Sequence, residues 1–255
     1  MPPQNAASLR NTLTMSLNIT IDQGNSSAKV AVWNASELVD QVTISKLTQS
    51  ALADVVQDYH PRRGVCCSVT GSGPEIISWL RELGVEAIEV RHDTPMPLSI
   101  GYATPETLGE DRIAAAVGAW SLLPGRNLLV VDMGTAVTYD VVTAGGVYAG
   151  GNIAPGVGMR LRALRSFTAR LPEVSGYGET PQFGFDTVTA MRAGAVRGVA
   201  AEIAYYRSLL SPDTEVVLTG GWSKRLSEFL DFPVTTDSCL VTKGLLSILL
   251  YNEKQ

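Results

Sequence analysis

The sequence predicts an α/β protein made of two similar lobes. Three observations carry this. Short apolar, β-branched runs alternate with longer amphipathic or Ala-rich stretches along the chain. One strand–turn–strand pattern occurs twice, as Ile19-Thr-Ile-Asp22-Gln-Gly24-Asn-Ser and as Val130-Val-Asp132-Met-Gly134-Thr-Ala. Each copy opens a stretch of similar length, in a chain of 255 residues that can bury two cores.

The elements follow in order. Residues 17–21, 28–33 and 38–44 read as three strands, with a tight turn at 22–27 between the first two. A helix fits 47–59, with apolar Leu52, Val55 and Val56 on one side. Strand 64–69 leads to helix 74–83, which has Pro74 in its first turn. Strand 85–90 follows, then a loop over 92–108 rich in Pro and Thr, then an Ala-rich helix at 110–122. The second half repeats the plan. Strands are expected at 128–131, 137–142 and 147–149, helices at 159–169 and 188–210, and a strand at 215–218 ending in Thr219-Gly220-Gly221. A short helix and an apolar terminal helix from 240 close the chain. The turn Pro124-Gly125-Arg126-Asn127 is the expected boundary between lobes 17–124 and 125–255. Residues 1–16 are polar, with a single Arg10 and no apolar centre, and are expected to be a flexible extension and not a secretory signal.

Composition narrows the function. Lys and Arg number 20 against 25 Asp and Glu, a net charge of −5 with no basic block, which argues against nucleic acid as a partner. No run reaches the roughly 20 apolar residues of a membrane helix, so no membrane role is expected. The three cysteines are odd in number, and Cys66-Cys67 lies in an apolar strand, as expected of core thiols in a reducing cytoplasm. His60 and His92 have no metal-ligand spacing. Arg160, Arg162 and Arg165 are spread around a helix and read as a solvated face.

The chemistry concentrates in the two Asp-x-Gly turns. Glycine lets backbone approach a ligand closely, a neighbouring Ser or Thr can donate to phosphate oxygens, and an Asp at the strand end can hold Mg²⁺ directly or through water. Two such turns facing one another would grip a triphosphate from both sides. Taken singly, each could be an ordinary hairpin turn; two copies heading matched lobes favour the ligand. The sequence has neither a G-x-x-x-x-G-K-[ST] loop nor a G-x-G-x-x-G after a strand, so a nucleotide must bind on another scaffold.

The twin turns resemble the phosphate loops of the sugar kinase, heat-shock and actin superfamily. Six motifs in order resemble type III pantothenate kinases: Asp22-Gln-Gly-Asn25-Ser26-Ser-Ala-Lys29; Gly109-Glu-Asp111-Arg112; Asp132-Met-Gly-Thr135-Ala-Val-Thr138-Tyr-Asp140; Gly150-Gly-Asn-Ile-Ala-Pro155-Gly156; Asp186-Thr187 with Ala190-Met191-Arg-Ala-Gly194; and Thr219-Gly-Gly221. Ser26 stands where Thr is common, Glu110 where a small residue is frequent, and Asp186 where Asn is usual.

The resemblance implies ribonuclease H-like, actin-like ATPase lobes with a nucleotide cleft between them. It implies phosphorylation of pantothenate by ATP, the first step toward coenzyme A, in a homodimer. Asp22, Gln23, Gly24, Asn25, Ser26, Ser27, Ala28 and Lys29 would form the first phosphate loop, with Asp22 on Mg²⁺. Thr135 would bind phosphate from the second lobe. Gly220 and Gly221 would admit the adenosine, and Asp132 would bind a monovalent cation, K⁺ or NH₄⁺. Asp111 would be the general base. Tyr102, Gly109, Glu110, Asp111, Arg112 and Thr187 would bind pantothenate, with Arg112 on its anionic part. A kinase for another small hydroxy acid, a phosphohydrolase, or a non-catalytic regulatory protein on the same scaffold are the alternatives; the intact Asp22, Asp111 and Asp132 argue against the last.

Overall fold

The fold is that of a computed structural model, which describes residues 16–253; the expected extension over 1–16 lies, Ser16 apart, outside the described residues. The first sheet begins with β1 (Leu17–Gln23), β2 (Ala28–Asn34) and β3 (Glu37–Ile44), an antiparallel meander. After α1 (Gln49–Tyr59), β4 (Arg63–Ser68) pairs parallel with β1; after α2 (Gly73–Glu82), β5 (Glu86–Glu89) pairs parallel with β4. The strand order is β3-β2-β1-β4-β5. β1 is flanked on both edges and covered on both faces, which is why Ile19, Thr20 and Ile21 are all buried. The one polar group of that run is matched: Trp33 Nε1 donates to Thr20 Oγ1 at 2.9 Å.

Local signals set the helix ends. Thr48 caps α1 by accepting from Ala51 N–H, and His60 ends it in the left-handed region at φ 50°. Pro74 opens α2, whose Ile76, Ile77 and Leu80 face the sheet.

The second half repeats the first. β7 (Leu128–Met133), β8 (Ala136–Val142) and β9 (Val147–Pro155) form the meander; α4 (Val157–Phe167) and α5 (Thr187–Ser208) precede β10 (Glu215–Thr219), and α6 (Ser223–Ser227) precedes β11 (Thr235–Thr236). Both β7–β10 and β10–β11 are parallel. The order β9-β8-β7-β10-β11 is that of the first sheet. One strand is added to it. β6 (Ser99–Ile100), inside the segment expected to be a plain loop, pairs with β9 at the sheet edge. Its two residues are too few to leave a periodic pattern in the sequence.

Each half closes with a helix that packs between the sheets: α3 (Glu110–Leu122) and α7 (Leu240–Asn252). α7 covers β1 and β4 of the first sheet, and α3 covers β7 and β8 of the second. The two cross at Gly118 and Gly244. A Cβ on Gly118 would collide with the Leu240 carbonyl, and one on Gly244 with the Ala114 carbonyl. The backbone contact thus excludes every other side chain at both positions. The layers run α1 and α2, first sheet, α3 and α7, second sheet, then α4, α5 and α6. No helix of the described residues is long and apolar enough to cross a membrane.

Candidate active site

Both Asp-x-Gly turns sit at the same end of their sheets. In each, the glycine N–H closes the turn: Gly24 donates to Ser27 O and Gly134 to Ala136 O, both at 3.0 Å. The tips meet across the cleft, where Ser26 Oγ lies 3.1 Å from Thr135 Oγ1. Gly156 N–H donates to Thr135 O at 3.1 Å, so the Pro155-Gly156 motif braces the second tip from behind. Beside the tips is a cavity of about 300 Å³, lined by Ser26, Thr135, Arg162, Gly221 and Trp222 among others.

Beneath the tips three half-buried carboxylates converge: Asp22 at the end of β1, Asp132 at the end of β7, and Asp111 in the first turn of α3. Burial raises all three above the ordinary carboxylate value. For Asp22 and Asp132 the Lys29 ammonium opposes the rise, while the neighbouring carboxylates add to it. Lys29 reaches this position because it stands opposite Asp22 in the β1–β2 register. Asp132 is pushed up to about 7. Asp111 is pulled back by the Arg112 backbone N–H, which donates to its Oδ1 at 2.8 Å. A buried carboxyl raised in this way is a stronger proton acceptor than an exposed one.

Asp132 has oxygen neighbours on both sides. Thr219 on β10 and Thr138 on β8 stand opposite it in register. Both hydroxyl oxygens are buried and have no hydrogen-bond partner among the described residues. Gly220, at φ 84°, brings backbone so close that a Cβ would lie 2.5 Å from Asp132 Oδ1. The Asp132 carboxylate with these two unpartnered hydroxyls is a hard-oxygen donor set that fits a monovalent cation. No group of three or more His, Cys, Asp or Glu placed to hold a metal occurs among the described residues. Asp22 alone with phosphate oxygens is a donor set that fits Mg²⁺, which is commonly held by one or two carboxylates and substrate phosphates.

On the other side of Asp111, the Arg112 guanidinium is buried against Asp140, which also accepts from Tyr148 OH at 2.7 Å. Tyr102 packs edge-on against Tyr148. Gly109 caps α3, and Glu110 sits in its first turn. Thr187 stands exposed at the first position of α5, where Asp186 completes a capping box with Thr189. That cap needs only a side-chain oxygen acceptor, which explains how Asp replaces Asn here. α3 and α5 cover opposite faces of the second sheet, so Thr187 and Asp111 of one chain do not meet.

The comparison with known proteins decides the family. The model of type III pantothenate kinases matches residues 18–208. A type III pantothenate kinase of Phocaeicola vulgatus is 43% identical over 241 residues, covering 93% of this chain and 100% of that protein.

The chain belongs to the type III pantothenate kinases.

Solved structures carry the same two-lobed, actin-like ATPase architecture. A Campylobacter jejuni protein described as a conserved Baf family transcriptional activator aligns with TM-score 0.65 at 21% identity, over 93% of this chain and 100% of that one. Component A of (R)-2-hydroxyglutaryl-CoA dehydratase from Acidaminococcus fermentans aligns with TM-score 0.55 at 14% identity, over 93% and 98%.

In this member of the pantothenate kinase family, two further residues shape the site through contacts that the sequence shows only in part. Asp140 closes the third motif, and two-residue alternation puts it on the same strand face as Thr138; only the fold shows what it touches. Arg160 departs from the expected solvated face. Its Nη2 donates to both carboxylate oxygens of Glu202, at 2.7 and 2.6 Å, and its Nε to Pro155 O at 2.7 Å, so it ties α4 to α5 and to the brace behind Thr135. Arg162 lines the cleft cavity, and Arg165 remains exposed as expected.

Proposed function

We propose that the chain transfers the γ-phosphoryl group of ATP to the primary hydroxyl of pantothenate, giving 4′-phosphopantothenate on the way to coenzyme A. The observation that carries the reading is the meeting of Ser26 and Thr135 directly above Asp22, Asp111 and Asp132. Phosphoryl transfer asks a protein mainly to position phosphates and to stabilise charge. The first turn supplies backbone N–H groups and the Asn25 and Ser26 side chains; the second supplies Thr135; Lys29 supplies positive charge near both. Gly220 and Gly221 admit the nucleoside.

Asp111 orients the attacking hydroxyl and accepts its proton. Arg112 meets the anionic end of the substrate, with Tyr102 beside it. Asp22 would hold Mg²⁺ and Asp132 with its threonines K⁺ or NH₄⁺, ions that neutralise phosphate charge when bound. Thr187 serves the site of a second copy. Supporting that dimer, Phe167, Phe183 and Phe185 are 69 to 87% exposed at the end of α4 and just ahead of α5, more apolar surface than a solvated face carries. The free thiols of Cys66, Cys67 and Cys239 suit a reducing cytoplasm.

The test is direct. Purified protein is incubated with ATP, Mg²⁺ and pantothenate in potassium and then in sodium buffer, and the phosphorylated product is quantified. Product that forms faster in potassium is the expected result. ATP consumption that does not depend on pantothenate, or no product in either salt, overturns the reading.

A further inference from the structure

Arg112 is held as if on a bracket. Its Nε and Nη2 both donate to one oxygen, Asp140 Oδ1, at 3.0 and 2.5 Å. The Tyr148 hydroxyl donates to the same oxygen at 2.7 Å. Asp140 and Tyr148 are 0% exposed and Arg112 is 5% exposed. The bracket leaves no slack. Asp140 stands opposite Gly151 in the β8–β9 register, and a Cβ on Gly151 would press on both Asp140 Oδ1 and Arg112 Nη2. The guanidinium also lies within 5.9 Å of the Tyr102 ring centre and 6.0 Å of that of Tyr148, and those rings pack edge to face.

A guanidinium is a rigid planar fork. Binding its Nε–Nη2 edge to a buried carboxylate therefore fixes the direction of the remaining end, Nη1. The next residue back along the chain is the general base, and the Arg112 backbone N–H itself donates to Asp111 Oδ1. The substrate-binding end and the reacting end of the site thus lie on adjacent residues. Asp140 also neutralises most of the Arg112 charge, so what remains for an anion is direction more than long-range attraction.

We infer that Asp140 and Tyr148 are positioning residues that aim Arg112 at the carboxylate of the substrate, and so set the preference of this enzyme for an acid over an uncharged analogue. The inference rests on the proposed contact between Arg112 and the anionic end of pantothenate.

The experiment compares pantothenate with panthenol, in which that carboxylate is replaced by a hydroxymethyl group, on parent, Arg112→Gln, Asp140→Asn and Tyr148→Phe proteins. Expected is a KM for pantothenate raised roughly tenfold in both positioning variants, the scale of one charge-assisted hydrogen bond. The kcat and the KM for ATP stay near parental values, and the preference for pantothenate over panthenol collapses as it does in Arg112→Gln. Selectivity lost in Arg112→Gln but kept in Asp140→Asn and Tyr148→Phe overturns the positioning role and leaves the Arg112 reading standing. Selectivity kept in Arg112→Gln overturns the Arg112 reading and this inference with it. Asp140→Asn leaves a buried cation without its counter-charge and can fail to fold; Tyr148→Phe keeps the ion pair and then decides alone.

Discussion

Ser26 Oγ and Thr135 Oγ1 lie 3.1 Å apart although 109 residues separate them in the chain. Each is the tip of its own hairpin, and each hairpin heads its own lobe. Two hydroxyls that reach one another across a cleft can also converge on one phosphate group. Ser26→Ala and Thr135→Ala should each raise the KM for ATP roughly tenfold or more, the scale of a hydrogen bond to a charged group. The double variant should cost less than the product of the two, because the residues share a ligand and a contact. Strictly multiplicative effects would place the two hydroxyls on separate groups.

Asp111 has a raised pKa, because burial outweighs the hydrogen bond from the Arg112 backbone. The base must be ionised to take a proton, so kcat/KM should fall on the acid side around a pKa above the ordinary value of 3.8. The stability sign is opposite. A carboxyl with a raised folded pKa stabilises the fold below its unfolded value and loses that contribution as pH rises through the folded one. Asp111→Asn should therefore melt no lower than the parent at neutral pH, while kcat falls by about 10²–10⁴. Unchanged turnover with a lower melting temperature would assign Asp111 to helix-end electrostatics alone.

For Asp132 the same logic gives a pH window. Burial moves it from 3.8 to about 7, so the stability it contributes in acid is lost as pH rises across that interval. At mildly alkaline pH in potassium-free buffer, Asp132→Asn should melt a few degrees higher than the parent. Added potassium should raise the melting temperature of the parent by mass action and leave the variant unmoved. Equal potassium shifts in both proteins would remove Asp132 from the cation site.

Subunit sharing is open to complementation. Sedimentation should give a dimer, and the Phe183→Glu/Phe185→Glu protein, altered at positions 84 and 69% exposed, should sediment as a monomer with low activity. Mixing Thr187→Ala with Asp111→Asn should restore part of the activity, since a hybrid dimer holds one intact site. No recovery despite demonstrated subunit exchange contradicts a shared site.

The sequence by itself carried the repeated plan of the halves. Alternating apolar runs, Pro74 in a first helical turn, and two Asp-x-Gly turns are local features, and local features are written in neighbouring residues. It also named Asp22 and Asp132, because a strand-end Asp-x-Gly is a short pattern, and Asp111 through the motif Gly109-Glu-Asp111-Arg112. Tertiary structure decided which groups meet. β6 joins the second sheet through two residues, too short for any period to show. Arg160 stands on a helix face that its own neighbours make solvated, but Glu202, 42 residues away, turns it inward. Asp140 could be read as an inward-facing strand residue; that it holds Arg112, 28 residues earlier, follows only when α3 is laid on β8. Such contacts depend on which elements become neighbours, and that choice belongs to the packing of the whole chain, not to the residues on either side of each position.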